Sequence, residues 1–259
     1  MFALNSKKIF TIIAVTLSVI VFGCSDKLEL TEPVASNSSE QESDLVWNFP
    51  EMDRSLDQTS KTIEELLSVY NIPKAILDTI STKELVKICM VHPHWGLIHV
   101  YNDRRTGMSV LVQNFNGFQE LFYRNDAAIE LLKAYNKLDP LAINPMWTPL
   151  EQGIYSAKFE KFEMLLSSRA MIDKLDKEGI QSLQEVIISK YQKKKELPEI
   201  YSLWDLSTTV AVCLNILQKE NSIILEEYRG QINYFMNTYM SEDLQFLDTI
   251  VELLRTTVL

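Results

Sequence analysis

The sequence predicts an all-α fold, an irregular multi-helix array or bundle of short amphipathic helices. Three observations lead there. Apolar residues recur three and four positions apart rather than alternating. Pairs with capping-box spacing stand before several of these runs. Glycine is scarce, with 7 in 259 residues.

Taken in chain order, the first segment is a targeting sequence. Lys7 and Lys8 form a positive region, Ile9 to Phe22 is an apolar run, and Gly23 precedes Cys24. The run is too short for a membrane span, which needs about 20 apolar residues, and polar chain resumes at Ser25, Asp26 and Lys27. Val21-Phe22-Gly23-Cys24 resembles the lipobox of bacterial lipoproteins. The resemblance implies that residues 1–23 are a signal peptide and that Cys24 is the lipid attachment site, carrying palmitate-type acyl chains. Several chains on one lipoprotein cysteine give stable anchoring, since each buried methylene contributes roughly 0.8 kcal/mol. Ser25 after that cysteine favours the outer membrane. The acidic tag resembled by Ser25-Asp26 breaks off at Lys27, which leaves the outer surface and the periplasmic face both open.

Residues 24–58 read as an acidic flexible tether. From Ser25 to Asp44 the chain is rich in Ser, Glu and Asp with almost no aromatic residue, so it cannot bury enough surface to fold. Twenty such residues span about 25 Å on average. Leu45 to Pro50, with Trp47 and Phe49, is apolar enough to dock on the domain that follows.

Residues 59–259 form the helical domain, long enough for one substantial core or two small ones. Its clearest stripes are Ile63, Leu66, Leu67, Tyr70; Tyr155, Phe159, Phe162, Leu166; Ile180, Leu183, Ile187, Tyr191; Leu225, Tyr228, Ile232, Phe235, Tyr239; and Leu244, Leu247, Ile250, Val251, Leu254. Ser81 with Glu84, Asn116 with Gln119 and Thr148 with Glu151 have the spacing of helix N-caps, and Pro149 suits a first helical position. Leu197-Pro198 ends a helix carrying Lys190, Lys193, Lys194 and Lys195, lysines that suit the negative end of the helix dipole. A docking patch for an anionic partner is the alternative use of that run. Residues 139–148, with Pro140 and Pro145, are the one candidate sub-boundary. Within 97–113, Leu97 to Tyr101 and Val110 to Val112 would also allow a small hairpin, whereas Met108, Leu111, Phe115, Phe118 and Phe122 keep helical spacing and favour helix.

Between Ser81 and Asp139, about sixty residues resemble a group of uncharacterised secreted and lipid-anchored proteins of Bacteroidetes-type bacteria. The likeness rests on Glu84-Leu85-Val86, Cys89, Pro93, Gly107, Phe115-Asn116-Gly117-Phe118-Gln119-Glu120-Leu121, Arg124, Asp126-Ala127, Leu131-Leu132 and Tyr135. It implies an envelope location and a helical fold, and it brings no activity. That pattern has an aromatic residue at the position of His92 and an apolar one at that of His94, so no family-wide histidine chemistry follows from it.

Chemistry has few places to reside. All three histidines, His92, His94 and His99, lie within eight residues, with Cys89 a turn upstream and Asp103 a turn downstream. They are the candidate metal ligands, although their spacing matches no zinc pattern and Pro93 takes His92 out of helical geometry. No phosphate-cradling loop, nucleophile elbow or paired-histidine protease helix is present, so no cofactor is expected and no catalytic residue is assigned. Glu64-Glu65 and Glu226-Glu227 read as solvated faces, and Cys89 and Cys213 as small core residues. Trp147, Tyr201 and Trp204 suit core anchoring or stacking on a sugar or peptide. Removing residues 1–23 takes away Lys7 and Lys8 and no acid, so the net charge of −10 becomes −12. Nucleic acid is a poor partner for such a chain. The sequence therefore favours a lipid-anchored binding or scaffold module of the cell envelope, touching the membrane through its anchor and another envelope protein or a glycan through its domain. The alternatives are a metal-assisted or histidine-dependent hydrolase working through His92, His94 and His99, and an acidic inhibitor or immunity-type protein covering a basic partner.

Overall fold

A computed structural model describes residues 46–51, 61–220 and 228–257. The signal segment, Cys24, nearly all of the tether, Leu225 and Glu226-Glu227 lie outside the described residues. Every regular element among the described residues is helical, and none of these helices is long and apolar enough to cross a membrane.

The first half is built from short helices: α1 (Ile63–Ser68), α2 (Lys74–Leu77), α3 (Thr82–Met90), α4 (Arg104–Asn114), α5 (Asn116–Tyr123) and α6 (Ala127–Asn136). Isolated helices of this length are marginal in water, and tertiary contacts hold these in place. Arg124, just past α5, donates from Nη1 to Ile80 O and from Nη2 to Leu77 O, which satisfies carbonyls at and beyond the end of α2. Ser81 caps α3 by accepting from Glu84 N. Trp47 and Phe49 are half-buried against the core, and Phe49 contacts Tyr70, His92 and Phe115.

No hairpin forms across residues 97–113. Trp95–His99 is a 3₁₀ turn and α4 follows it, its first turn capped by Asp103 accepting from Thr106 N. Met108, Leu111, Phe115 and Phe118 are all buried, so helical burial outweighs the local alternation. The two elements meet at Gly107, where a Cβ would lie 2.5 Å from Ile98 Cα, so any side chain there would force them apart.

The expected cap at Asn116 is also corrected. Phe115 occupies the cap position with extended backbone, and Asn116 is the first helical residue of α5. Its side chain instead grips the chain between α1 and α2. Oδ1 accepts from Ile72 N and Nδ2 donates to Ile72 O, both at 2.8 Å, while Asn116 N donates to Asn71 Oδ1. A pattern scan for caps cannot tell these uses apart, because both place an amide at a helix start.

The second half uses longer helices: α7 (Pro149–Leu166), the short α8 (Arg169–Ile172), α9 (Lys177–Lys195), α10 (Leu203–Lys219), α11 (Arg229–Thr238) and α12 (Leu244–Thr256). Thr148 and Glu151 form the full capping box expected of them, with Pro149 in the first turn of α7. Every residue from Leu206 to Leu217 of α10 is buried, making it the central rod against which α7, α9 and α12 pack. Asp139 to Thr148 joins the halves, and its Pro140–Ala142 turn packs on α9. The buried apolar side chains of both halves form one cluster, from Leu67 to Leu254.

Candidate functional site

The sequence draws attention first to the histidines, and the structure separates them. His92 is 2% exposed and sits among Phe49, Tyr70, Phe115 and Phe118, with ring centroids 4.5 to 6.0 Å away. Its Nδ1 accepts from His94 N, and its Nε2 has no partner. Burial, with the charges of His94 and Lys161 adding to it, pushes its pKa down to about 3. His94 packs on Tyr70, and burial lowers it too. Cys89 is buried with its thiol pushed well up, and both carboxylate oxygens of Asp103 accept from Thr106. Among the described residues no three His, Cys, Asp or Glu side chains are gathered to hold a metal ion.

The lysine run is likewise not a free basic face. Lys194 is completely buried at the end of α9 and bonds both oxygens of Glu163 at 2.8 Å, along with Thr209 Oγ1 and Asp205 O. Glu163 also accepts from Tyr135 Oη, Thr208 Oγ1 and Thr209 Oγ1, so the carboxylate has five bonds in the core. Lys190 is buried over the Tyr135 ring, donates to Leu138 O, and is pushed down to about 8 chiefly by burial. Lys193 pairs with Asp139 and Lys195 with Asp248. Lys190 and Lys193, which line a shallow cleft of about 300 Å³ together with the exposed Lys137, are thus already engaged.

His99 leads to a more open place. Its Nε2 donates to Glu160 Oε2 at 3.2 Å, and Glu160 Oε1 lies 3.0 Å from Arg104 Nε. Arg104 and Glu160 are buried on α4 and α7 respectively. Burial pushes the Glu160 carboxyl up, but the bond from His99 and the charges of Arg104, His99 and Lys194 outweigh it, so it ionises more readily than an ordinary glutamate. Arg104 then reaches α10, where Nη1 donates to Trp204 O and the guanidinium lies over the indole, 5.2 Å from its centroid. The backbone of Trp204 is fixed as well, because Ser202 and Asp205 form a capping box around it.

Trp204 is nevertheless 46% exposed, and it lines a cleft of about 610 Å³ between α11 and the start of α12. Tyr234, 62% exposed, lines it too, and the base is closed by Phe235 and Phe246, whose rings meet at 5.7 Å. Gln231, Ser241, Glu242 and Asp243 supply polar groups. Gln231 Nε2 donates to Asp243 Oδ2 at 3.0 Å, while Asp243 Oδ1 caps α12 by accepting from Phe246 N. Tyr239, with a left-handed backbone (φ 57°), turns the chain so that Met240 to Asp243 border the cleft. Arg105 ties α11 back to α4 by donating to Met236 O.

Of the three aromatics singled out from sequence, only Trp204 is presented this way. Tyr201 is buried and donates to Pro140 O, and Trp147 is half-buried against Tyr155. Tyr234, Arg104 and Glu160 were not singled out. Arg104 could have been, since it stands four and seven residues before Met108 and Leu111 on the buried face of α4. Comparison of the chain with protein-family models, curated proteins and solved structures finds no match.

Proposed function

We propose that the chain is a lipid-anchored helical binding module of the bacterial cell envelope, held to a membrane through Cys24, with the Trp204–Tyr234 cleft as its binding face. The observation that carries this reading is Trp204. Exposed indoles are costly to hold still, yet this one is fixed by an arginine and a glutamate that are themselves buried. A buried charge pair spent on orienting an exposed ring makes sense when the ring meets a partner, because an ordered platform loses less entropy on binding. The lipobox-like Val21-Phe22-Gly23-Cys24 supports the anchor, and the acidic tether supports a domain held clear of the headgroups. A histidine-dependent hydrolase would have to work through His99 and Glu160, and neither lines either cleft.

Two measurements test the proposal together. Labelled palmitate should mark the wild-type chain and not Cys24→Ser. Envelope fractions passed over the wild-type chain should leave bound material that a Trp204→Ala/Tyr234→Ala chain does not retain. Retention of the same material by that double variant, with its circular dichroism unchanged, would remove the cleft from the reading.

A further inference from the structure

We infer that the ligand of this cleft is a neutral oligosaccharide, an inference that rests on the cleft being the binding face. Three features of its chemistry point that way. First, the most exposed apolar groups that the cleft offers are the rings of Trp204 and Tyr234, with Met240 beside them, while the base rings Phe235 and Phe246 are 1% exposed. A peptide side chain seeking an apolar pocket therefore finds the floor already filled, as a helix docking in a groove would. A pyranose needs no pocket, since its C–H face stacks on an exposed aromatic ring.

Second, no Lys, Arg or His lines the cleft, whereas Glu242 and Asp243 do. Phosphorylated ligands and uronic acids would meet like charge without a counter-ion. Third, the polar groups beside the rings are held in place. Gln231 is oriented by its bond to Asp243, which leaves its second N–H and its carbonyl oxygen for a ligand. A donor and an acceptor on one planar amide match adjacent sugar hydroxyls, each of which both donates and accepts. The cleft, at about 610 Å³, falls within the usual range for small-ligand sites and has room for roughly two or three sugar rings.

The test uses the full chain in a polyoxyethylene detergent, whose headgroup carries neither sugar nor charge. Calorimetry and tryptophan fluorescence would follow titration with neutral tetrasaccharides of glucose, mannose, galactose and N-acetylglucosamine. A tetragalacturonate and a lysine-rich hexapeptide serve as rivals. At least one neutral tetrasaccharide should bind, and Trp204→Ala and Tyr234→Ala should each weaken it tenfold or more with the helical spectrum unchanged. The tetragalacturonate should bind at least tenfold more weakly than its neutral counterpart. Failure of every neutral sugar to bind, or binding that neither substitution weakens, overturns the inference. Hexapeptide binding that is lost with Trp204→Ala, without sugar binding, overturns the sugar and keeps the cleft. Envelope material retained equally by the Trp204→Ala/Tyr234→Ala chain removes both.

Discussion

The two halves of the domain differ in where their buried polar groups find partners. In the first half, helices of 4 to 11 residues leave many backbone ends open, and side chains from elsewhere in the chain close them. Asn116 grips Ile72, Arg124 serves Leu77 and Ile80, and Lys161 of α7 donates to Met90 O at the end of α3. In the second half distant side chains also reach helix ends, as Gln184 does to Leu254 O and Lys219 to Ile172 O, but here charged side chains additionally face each other inside the core, as Lys194 and Glu163 do. The first strategy spreads modest contributions over many contacts. The second concentrates a large dependence in one pair, because either ion left alone would be buried without compensation.

That contrast predicts its own largest effect. Lys194→Met should cost about 3 to 5 kcal/mol, since it strands the Glu163 carboxylate in a site with no access to water. Combining it with Glu163→Gln should return much of the loss, because the amide keeps partners among Tyr135, Thr208 and Thr209 without a charge. Urea denaturation of both variants reads this directly. A Lys194→Met midpoint no lower than that of Lys193→Ala, whose lysine is at the surface, would mean that the core tolerates the lone carboxylate.

A smaller effect belongs to the first half and depends on pH. His92 has a folded pKa of about 3 against an ordinary value near 6.5. Between those values the unfolded chain binds a proton that the folded chain refuses, so stability is complete above about pH 6.5 and falls as the pH is lowered toward 3. The slope approaches roughly 1.4 kcal/mol per pH unit at its steepest, or on the order of 3 kcal/mol by pH 4. His92→Phe places an aromatic ring among Phe49, Tyr70, Phe115 and Phe118 and removes the proton. The variant should lose less stability than wild type between pH 6.5 and 4. Parallel pH profiles for the two chains would show that the imidazole is charged, or solvated, in the folded state.

The same contrast explains what could be read from the sequence. Helical class, the Thr148 cap and the stripes on α7, α9 and α12 were legible because each depends on near neighbours in the chain. The central helix α10 is harder to place from sequence, because Ser207, Thr208, Thr209 and Asn215 are buried among its apolar residues and polarity does not mark its outer face. The buried charges leave a trace in the sequence that is more than helix-dipole chemistry. Lys190 and Lys194 continue the spacing of Ile180, Leu183 and Ile187, and Glu163 adjoins Phe159, Phe162 and Leu166. A charge on the apolar face signals a partner in the core. Which partner it meets depends on pairings such as Lys194 with Glu163, 31 residues apart, that no local pattern contains. The cleft was half legible for the same reason: Trp204 stands out, whereas Arg104, which holds it, lies 100 residues away.

The smallest effect separates a local cap from a long-range grip. Thr148→Ala removes a cap whose bonds all lie within one turn, and it should cost about 1 kcal/mol. Asn116→Ala removes two bonds to Ile72 and leaves that residue's amide and carbonyl without these partners, Ile72 itself being buried. An unsatisfied buried backbone group costs about 1 to 3 kcal/mol, so Asn116→Ala should exceed Thr148→Ala despite deleting a similar amount of side chain. Hydrogen exchange locates the difference. Asn116→Ala should speed exchange at Ile72 and in α2, far away in sequence, whereas Thr148→Ala should affect only the first turn of α7. Equal costs, with exchange confined to the start of α5, would make Asn116 an ordinary helix-start residue and show that the short helices of the first half are held by their apolar faces alone.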